Sequence, residues 1–271
     1  MARTLRPLSL GKILDETFDI YRHNFVLFIG ISAIPNLALL LLKITAIKLG
    51  IDADATDTIT TIFAGLATWF ASLFAEAIVT AATTFAVSDI YLDTPTTMVS
   101  CFSRVAGKAL KVTYVSFIVA FIVGIGFALC LAPGIYWAGV YGIAIPAVVL
   151  ENIRGRDALS RSSSLTKNSV GRIIVIYFLT AIFSGIMVIA LSVGISTLGL
   201  AAFHTPQGSK LLEEITATLG AILFGPISAI ALTLAYYDQR VRNEAFDIEH
   251  MMSLMGVQES PPSVPPPPPV A

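Results

Sequence analysis

Residues 172–200 read RIIVIYFLTAIFSGIMVIALSVGISTLGL, and after Arg172 this stretch contains no charged side chain. A helix crosses the hydrocarbon core of a bilayer, about 30 Å thick, in roughly 20 residues. The stretch is therefore long enough to span a membrane, with residues left over for tilt. An uncharged apolar run of this length is typical of a membrane-spanning helix.

Five further apolar stretches follow the same pattern, so the sequence predicts an all-α membrane domain over residues 1–250. We place its six spans near residues 25–47, 62–88, 112–132, 135–150, 172–200 and 215–237. The composition agrees, because 55% of the residues are hydrophobic and only 13% are charged. The fourth span is short and contains Pro146, which predicts a kink or a tight hairpin with the third span across Pro133-Gly134.

Basic residues are distributed unevenly between these spans. Fourteen of the seventeen lysines and arginines fall in segments that alternate with acidic or nearly uncharged ones. They are Arg3, Arg6, Lys12, Arg22, Arg104, Lys108, Lys111, Arg154, Arg156, Arg161, Lys167, Arg172, Arg240 and Arg242. Because Lys and Arg near a span resist translocation, we expect these segments and both termini to face the cytoplasm.

A short amphipathic helix is predicted before each pair of spans, at residues 8–23, about 95–110 and about 157–168. Thr94-Pro95 would cap the second of these helices. The chain is then three copies of one unit, in which an interfacial helix precedes a hairpin of two spans. Any series of hairpins with basic loops would give a similar pattern, so an accidental likeness between the units stays open.

Seven basic side chains on or beside these helices are candidates for contacts with anionic lipid headgroups. They are Lys12, Arg22, Arg104, Lys108, Lys111, Arg161 and Lys167. On this basis the phospholipid bilayer is the expected partner of the domain.

An acidic residue follows the second span of each unit: Asp89, Glu151 and Asp238. We expect these carboxylates to pair with Arg22, Arg104, Arg161 or Arg172 and to hold the cytoplasmic layer together. A metal site is disfavoured, because the three residues belong to distant segments and no histidine accompanies them. We predict no metal, no cofactor and no nucleic-acid partner.

Glu76 lies near the middle of the second predicted span. A carboxylate at that depth costs roughly 2.5 kcal/mol or more unless it is protonated, paired or in contact with water. Two interpretations follow. Glu76 is either a proton, cation or substrate site, or a protonated acid that bonds Thr80 or a hydroxyl on a neighbouring helix.

Three prolines, Pro35, Pro146 and Pro226, interrupt predicted spans. Such breaks either free backbone carbonyls to line a cavity, as in many transporters, or act as packing kinks. The sequence contains no nucleophile elbow, paired His/Cys motif or phosphate-binding glycine loop. We therefore predict a protein that is not an enzyme.

The segment 251–271 is predicted to be a disordered, proline-rich cytoplasmic tail, with Pro265 to Pro269 in an extended polyproline helix. It serves either as a spacer or as a ligand for an aromatic groove on a partner protein.

Three stretches together resemble a known family: RPLSLGKILD at residues 6–15 with Tyr21-Arg22, residues 158–168, and YYDQRVR at residues 236–242 with Phe246-Asp247. The sequence is similar to an uncharacterised bacterial membrane-protein family that is labelled after the membrane domain of glycerophosphoryl diester phosphodiesterases. The likeness covers most of residues 6–249, and the YYDQRVR ending is its most specific part. Ser162 and Ser163 depart from the usual bulky residues of the third short helix.

This resemblance implies a multi-span protein of the bacterial inner membrane. The catalytic chemistry of such fusions belongs to a separate soluble barrel, which this sequence does not contain, so no catalytic residue carries over. Two functions remain as hypotheses. One is a lipid-associated scaffold or accessory in envelope or lipid handling, and the other is a transporter or lipid translocator that uses Glu76 and the proline-broken spans.

Overall fold

The structure, a computed structural model, describes residues 8–48, 58–153, 155–197 and 206–244. Within these ranges the chain forms ten helices and no strand. They are α1 (Leu10–His23), α2 (Phe25–Lys48), α3 (Thr58–Tyr91), α4 (Met98–Ala106), α5 (Ala109–Leu129), α6 (Leu131–Tyr141), α7 (Ala144–Glu151), α8 (Gly155–Thr166), α9 (Val170–Thr197) and α10 (Pro206–Glu244). The all-α prediction is confirmed. The predicted tail, 251–271, lies outside the described residues.

Six helical stretches in the described ranges are long and apolar enough to cross a membrane, with α6 and α7 together forming one of them, Leu131–Glu151. Bulky side chains along them face outward, as Leu41, Phe63 and Ile189 do. Apolar surface of this extent is covered by lipid rather than water, and a continuous helix satisfies its own backbone groups there. The chain is therefore a multi-pass membrane protein.

The hairpin between the third and fourth spans turns earlier than predicted. The helix α5 ends at Leu129, and Cys130 adopts an extended backbone with φ −171° and ψ 157°. Pro133 and Gly134 lie in the first turn of α6, where a proline loses no helical hydrogen bond. A Cβ atom on Gly126 would lie 2.7 Å from the Cα atom of Gly134, so small residues permit the two helices to approach closely.

The fourth span is broken between α6 and α7, just before Pro146. A proline ring excludes the normal helical bond to the carbonyl four residues earlier, here Gly142. The nearby carbonyl of Val140 instead accepts hydrogen bonds from Ser162 at 2.7 Å and Thr166 at 3.3 Å, both on α8. The face of α8 that carries Ser162 and Thr166 therefore packs on the break in this span.

The helix α4 starts later than predicted, because Thr97, and not Thr94-Pro95, is its N-cap. The Thr97 hydroxyl accepts from the backbone N–H of Ser100, and the Ser100 hydroxyl accepts from the N–H of Thr97, both at 3.2 Å. This reciprocal capping box satisfies two backbone donors that would otherwise be free.

The three units have the same arrangement. Their second spans, α3, α6–α7 and α10, contact one another at the centre of the bundle, and their first spans, α2, α5 and α9, pack around them. Each short helix packs on the second span of the unit before it: α4 on α3, α8 on α7 and, closing the circle, α1 on α10. We call the end of the bundle that carries α1, α4 and α8 the basic end.

Hydroxyl groups join α3 to α10 near the basic end. Thr233 donates to Thr84 at 3.2 Å, and Ser88 bonds the Tyr237 hydroxyl at 2.8 Å. The two pairs are four residues apart on both helices, so α3 and α10 run in the same direction with matched register. Polar contacts of this kind stabilise helix pairs inside a membrane.

Candidate functional site

Asp238 is the centre of a buried network at the basic end. Its side chain is 2% exposed, and it accepts the backbone N–H of Leu8 at 2.8 Å. Arg172 lies 3.2 Å from the same carboxylate and Arg242 lies 3.0 Å from it. Both arginines also donate to the carbonyl of Leu8. One carboxylate thereby fixes the start of α1 to α9 and α10.

Glu151 occupies the equivalent position in the second unit. Arg161 Nε lies 2.8 Å from it, and the Tyr236 hydroxyl donates to it at 2.6 Å. Arg161 also forms a two-bond contact with Glu244, which the sequence analysis did not identify as a partner. These bonds, with Glu244 first and Glu151 next, raise the pKa of Arg161 despite partial burial. The network joins α7, α8 and α10.

Asp89 completes the set in the first unit. It pairs with Arg104 on α4, and the Arg104 guanidinium lies 4.4 Å from the centre of the Phe85 ring. Lys108 donates to the carbonyl of Val149 at 2.8 Å. Burial, together with the nearby charges of Lys111 and Arg104, lowers the pKa of Lys108.

Three of the four predicted arginines pair with the three acids. Arg104 pairs with Asp89, Arg161 with Glu151 and Arg172 with Asp238. Arg22 does not. It lies 3.7 Å from Asp19 on its own helix and is 80% exposed, because it is on the outward face of α1. Within the described residues, no group of three or more His, Cys, Asp or Glu side chains is placed to hold a metal ion.

The seven headgroup candidates divide into two groups. Arg104, Lys108 and Arg161 have the protein partners given above. The other four, which are exposed side chains, are Lys12, Arg22, Lys111 and Lys167. Arg104 is also exposed, but its charge is paired with Asp89, so the second group is the one that the pairs given above leave facing outward.

A central cavity of about 400 Å³ lies between the spans, and α3, α5, α6, α7, α9 and α10 all contribute to its wall. Most of this wall is apolar. The polar side chains that face it include Glu76, Thr80, Ser116, Tyr141 and Tyr177. The three units therefore enclose a space that no pair of neighbouring spans forms alone.

Glu76 is exposed although it lies within a long apolar helix. Its exposed surface is part of the cavity wall, and Thr80 Oγ1 is 3.5 Å from its Oε1 atom, the outer limit of a hydrogen bond. The bond to Thr80 expected from the sequence is therefore long. Among the described residues, Thr80 is the only one that forms a hydrogen bond with this carboxyl group.

A second cavity, of about 360 Å³, adjoins the first, and Leu73 and Glu76 belong to both walls. Lys43, in the half of α2 that is farther from the basic end, also lines it. The Lys43 ammonium lies 2.8 Å from Glu214 on α10, so this lysine already has an acidic partner. Glu76 stands where the two cavities meet.

The predicted interruptions at Pro35 and Pro226 are wrong, because α2 and α10 continue through these prolines as single helices. The turn before Pro226 is used for packing between helices. The carbonyls of Ala221 and Leu223, in the turn before it, accept hydroxyl bonds from Ser32 on α2 and Tyr21 on α1. Burial raises the pKa of Tyr21 to about 12, which keeps its phenol protonated as a donor. These bonds favour the packing interpretation of Pro226 over exposed carbonyls in a cavity.

No family model matches this chain, and no curated protein or solved structure shows significant similarity to it.

Replacing Asp238 with Asn should destabilise the protein strongly, because two arginines lose their buried counter-charge. Removing one member of a buried ion pair costs about 3–5 kcal/mol. Asp89→Asn is the matched control, since Arg104 is 39% exposed and a partly exposed pair contributes about 1 kcal/mol or less. Thermal unfolding in detergent measures both variants. Equal losses would refute the central place of Asp238.

The side chain introduced by Glu76→Cys should react with a small water-soluble thiol reagent, because position 76 lines a cavity and is not in a packed interior. The background is Cys101→Ala with Cys130→Ser. Lys111→Cys supplies an exposed control and Ala235→Cys a fully buried one. Mass spectrometry of intact protein in bilayers measures labelling. Protection of position 76 to the level of position 235 would contradict access.

Proposed function

We propose that this chain is a membrane protein of lipid handling, without enzymatic activity, that takes an amphiphilic molecule into the central cavity. The observation that carries this proposal is the exposure of Glu76 on the wall of both cavities. An acid used only for packing would be covered by neighbouring side chains. An acid on a cavity wall instead gives a polar anchor within an apolar site.

The form of the cavity supports this assignment. Ligand sites in proteins have volumes of about 300–1,000 Å³ and mostly apolar walls with a few polar groups. The central cavity, about 400 Å³ in volume, has this character, and six helices border it. An amphiphile would satisfy both parts of such a wall, with its head at Glu76 and its hydrocarbon chain along the apolar side chains.

We further propose that the protein lies in a bacterial inner membrane with its basic end in the cytoplasm. The excess of lysine and arginine on one side of the predicted spans supports this orientation. The resemblance to the phosphodiesterase membrane-domain family, whose most specific part is the YYDQRVR ending, supports the bacterial source. It suggests a role beside lipid-processing enzymes and not as one.

Replacing Ala181, which lines the central cavity, with Phe should remove amphiphile that remains bound during purification. The larger ring fills the space that the hydrocarbon chain would occupy. Ala190→Phe is the matched control, because Ala190 is on the same helix and outside the cavity wall. Quantitative mass spectrometry of extracted lipids measures the change, expected to be about fivefold or more. Equal retention by the two variants would refute the proposal.

A second candidate function is a scaffold that gathers anionic lipid at the basic end. The observation that favours it is the exposure of Lys12, Arg22, Lys111 and Lys167 on or beside the short helices. Basic groups near a membrane surface each contribute about 1 kcal/mol of attraction to anionic headgroups.

Changing these four residues together to glutamine should reduce the preference for phosphatidylglycerol over phosphatidylcholine in the lipid that purifies with the protein. We expect a loss of about tenfold, because four surface attractions partly screened by salt are removed. Arg104→Gln is the comparison, since Arg104 is bound to Asp89. An unchanged preference would exclude the scaffold function and leave the cavity proposal intact.

A further inference from the structure

The central cavity has a single charged group on its wall. Glu76 is that group, and the described residues around the cavity include no lysine, arginine or histidine. A lone carboxylate within the membrane favours a cationic partner, which offsets the cost of its charge. An anionic group beside it would add repulsion in surroundings of low polarity.

The one lysine that borders the adjoining cavity is not available to fill this role. The Lys43 ammonium is held 2.8 Å from Glu214, on the side of the second cavity formed by α2 and α10. Thr80 supplies only a long contact of 3.5 Å. Among the described residues that line the two cavities, none is a basic partner of Glu76, since Lys43 is paired with Glu214.

The rest of the wall is suited to an organic cation. Tyr141 and Tyr177 line the same cavity, and aromatic faces attract ammonium groups. Ser116 also borders the cavity, but its Oγ atom is buried beneath the wall.

We infer that the amphiphile carries a cationic head, an amine or a quaternary ammonium, that pairs with Glu76, while its hydrocarbon chain lies along the apolar wall. This inference rests on the proposed function and specifies its ligand. The head reaches Glu76 either from the central cavity or from the adjoining one, because both cavities include this residue.

The test is native mass spectrometry of the full chain in a neutral detergent, titrated with hexadecyltrimethylammonium, hexadecyl sulfate and hexadecanol. These probes share one hydrocarbon chain and differ in the charge of the head. We expect one molecule of the ammonium compound to bind at least about tenfold more tightly than either of the others. Wild-type protein alone therefore tests the inference, whatever the stability of any variant.

Two variants separate the contributions of the head and the chain. Glu76→Gln should reduce the preference for the ammonium head to about twofold or less, whereas Glu213→Gln, an exposed carboxylate outside both cavity walls, should leave it unchanged. Ala181→Phe should weaken the binding of all three probes.

Each outcome has a distinct meaning. Equal binding of the three heads, or preference for the sulfate or the alcohol, overturns the inference, and the proposed function stands if Ala181→Phe still weakens binding. An ammonium preference that survives Glu76→Gln also overturns the assigned role of Glu76. If Ala181→Phe alters the binding of none of the probes, the cavity is not the site and the proposed function fails with the inference.

Discussion

The contact between Asp238 and the backbone of Leu8 joins the start of α1 to α10, the last helix. It adds to the packing of α1 on α10, its main partner, and to the bond from Tyr21 to the carbonyl of Leu223. The carboxylate takes the Leu8 N–H, and the two arginines that neutralise it also bind the Leu8 carbonyl. Asp89 and Glu151 fix α4 and α8 in corresponding positions. The three second spans contact one another inside this ring of short helices.

The closed ring explains why the two ends of the spans differ. Near the basic end, ion pairs and hydroxyl pairs fill the space between the second spans, and residues such as Ala86, Ala147 and Leu234 are fully buried. Farther along the same helices this packing stops and the central cavity begins. Because the basic end holds the helices rigidly, the cavity can remain open without loss of the bundle. Glu76 lies on the open side of that boundary.

Hydroxyl groups from neighbouring helices support the spans near two of the prolines. Removal of a helical hydrogen bond inside a membrane is costly unless another group replaces it. At the break before Pro146, α8 supplies hydroxyls to Val140. The helix α10 continues through Pro226, and α1 and α2 supply hydroxyls to its carbonyls in the turn before that proline. In both arrangements the sequence pattern of the donor residues gives no strong signal for the contact. Ser162 is therefore part of the packing, which accounts for its departure from a bulky residue, whereas Ser163 is exposed.

The sequence by itself determined the all-α class, six apolar spans and the short helices before each pair, because length, hydropathy and charge act locally. It also identified Glu76 and the three acids, since charge next to or within apolar runs is conspicuous. Only the tertiary structure decided that Arg22 stays outside the network, that Glu244 and Leu8 join it, and that Glu76 faces a cavity beside Ser116. Those outcomes depend on which helices meet, and contacts between residues more than 200 positions apart, such as Leu8 with Asp238, leave no periodic signal in the chain.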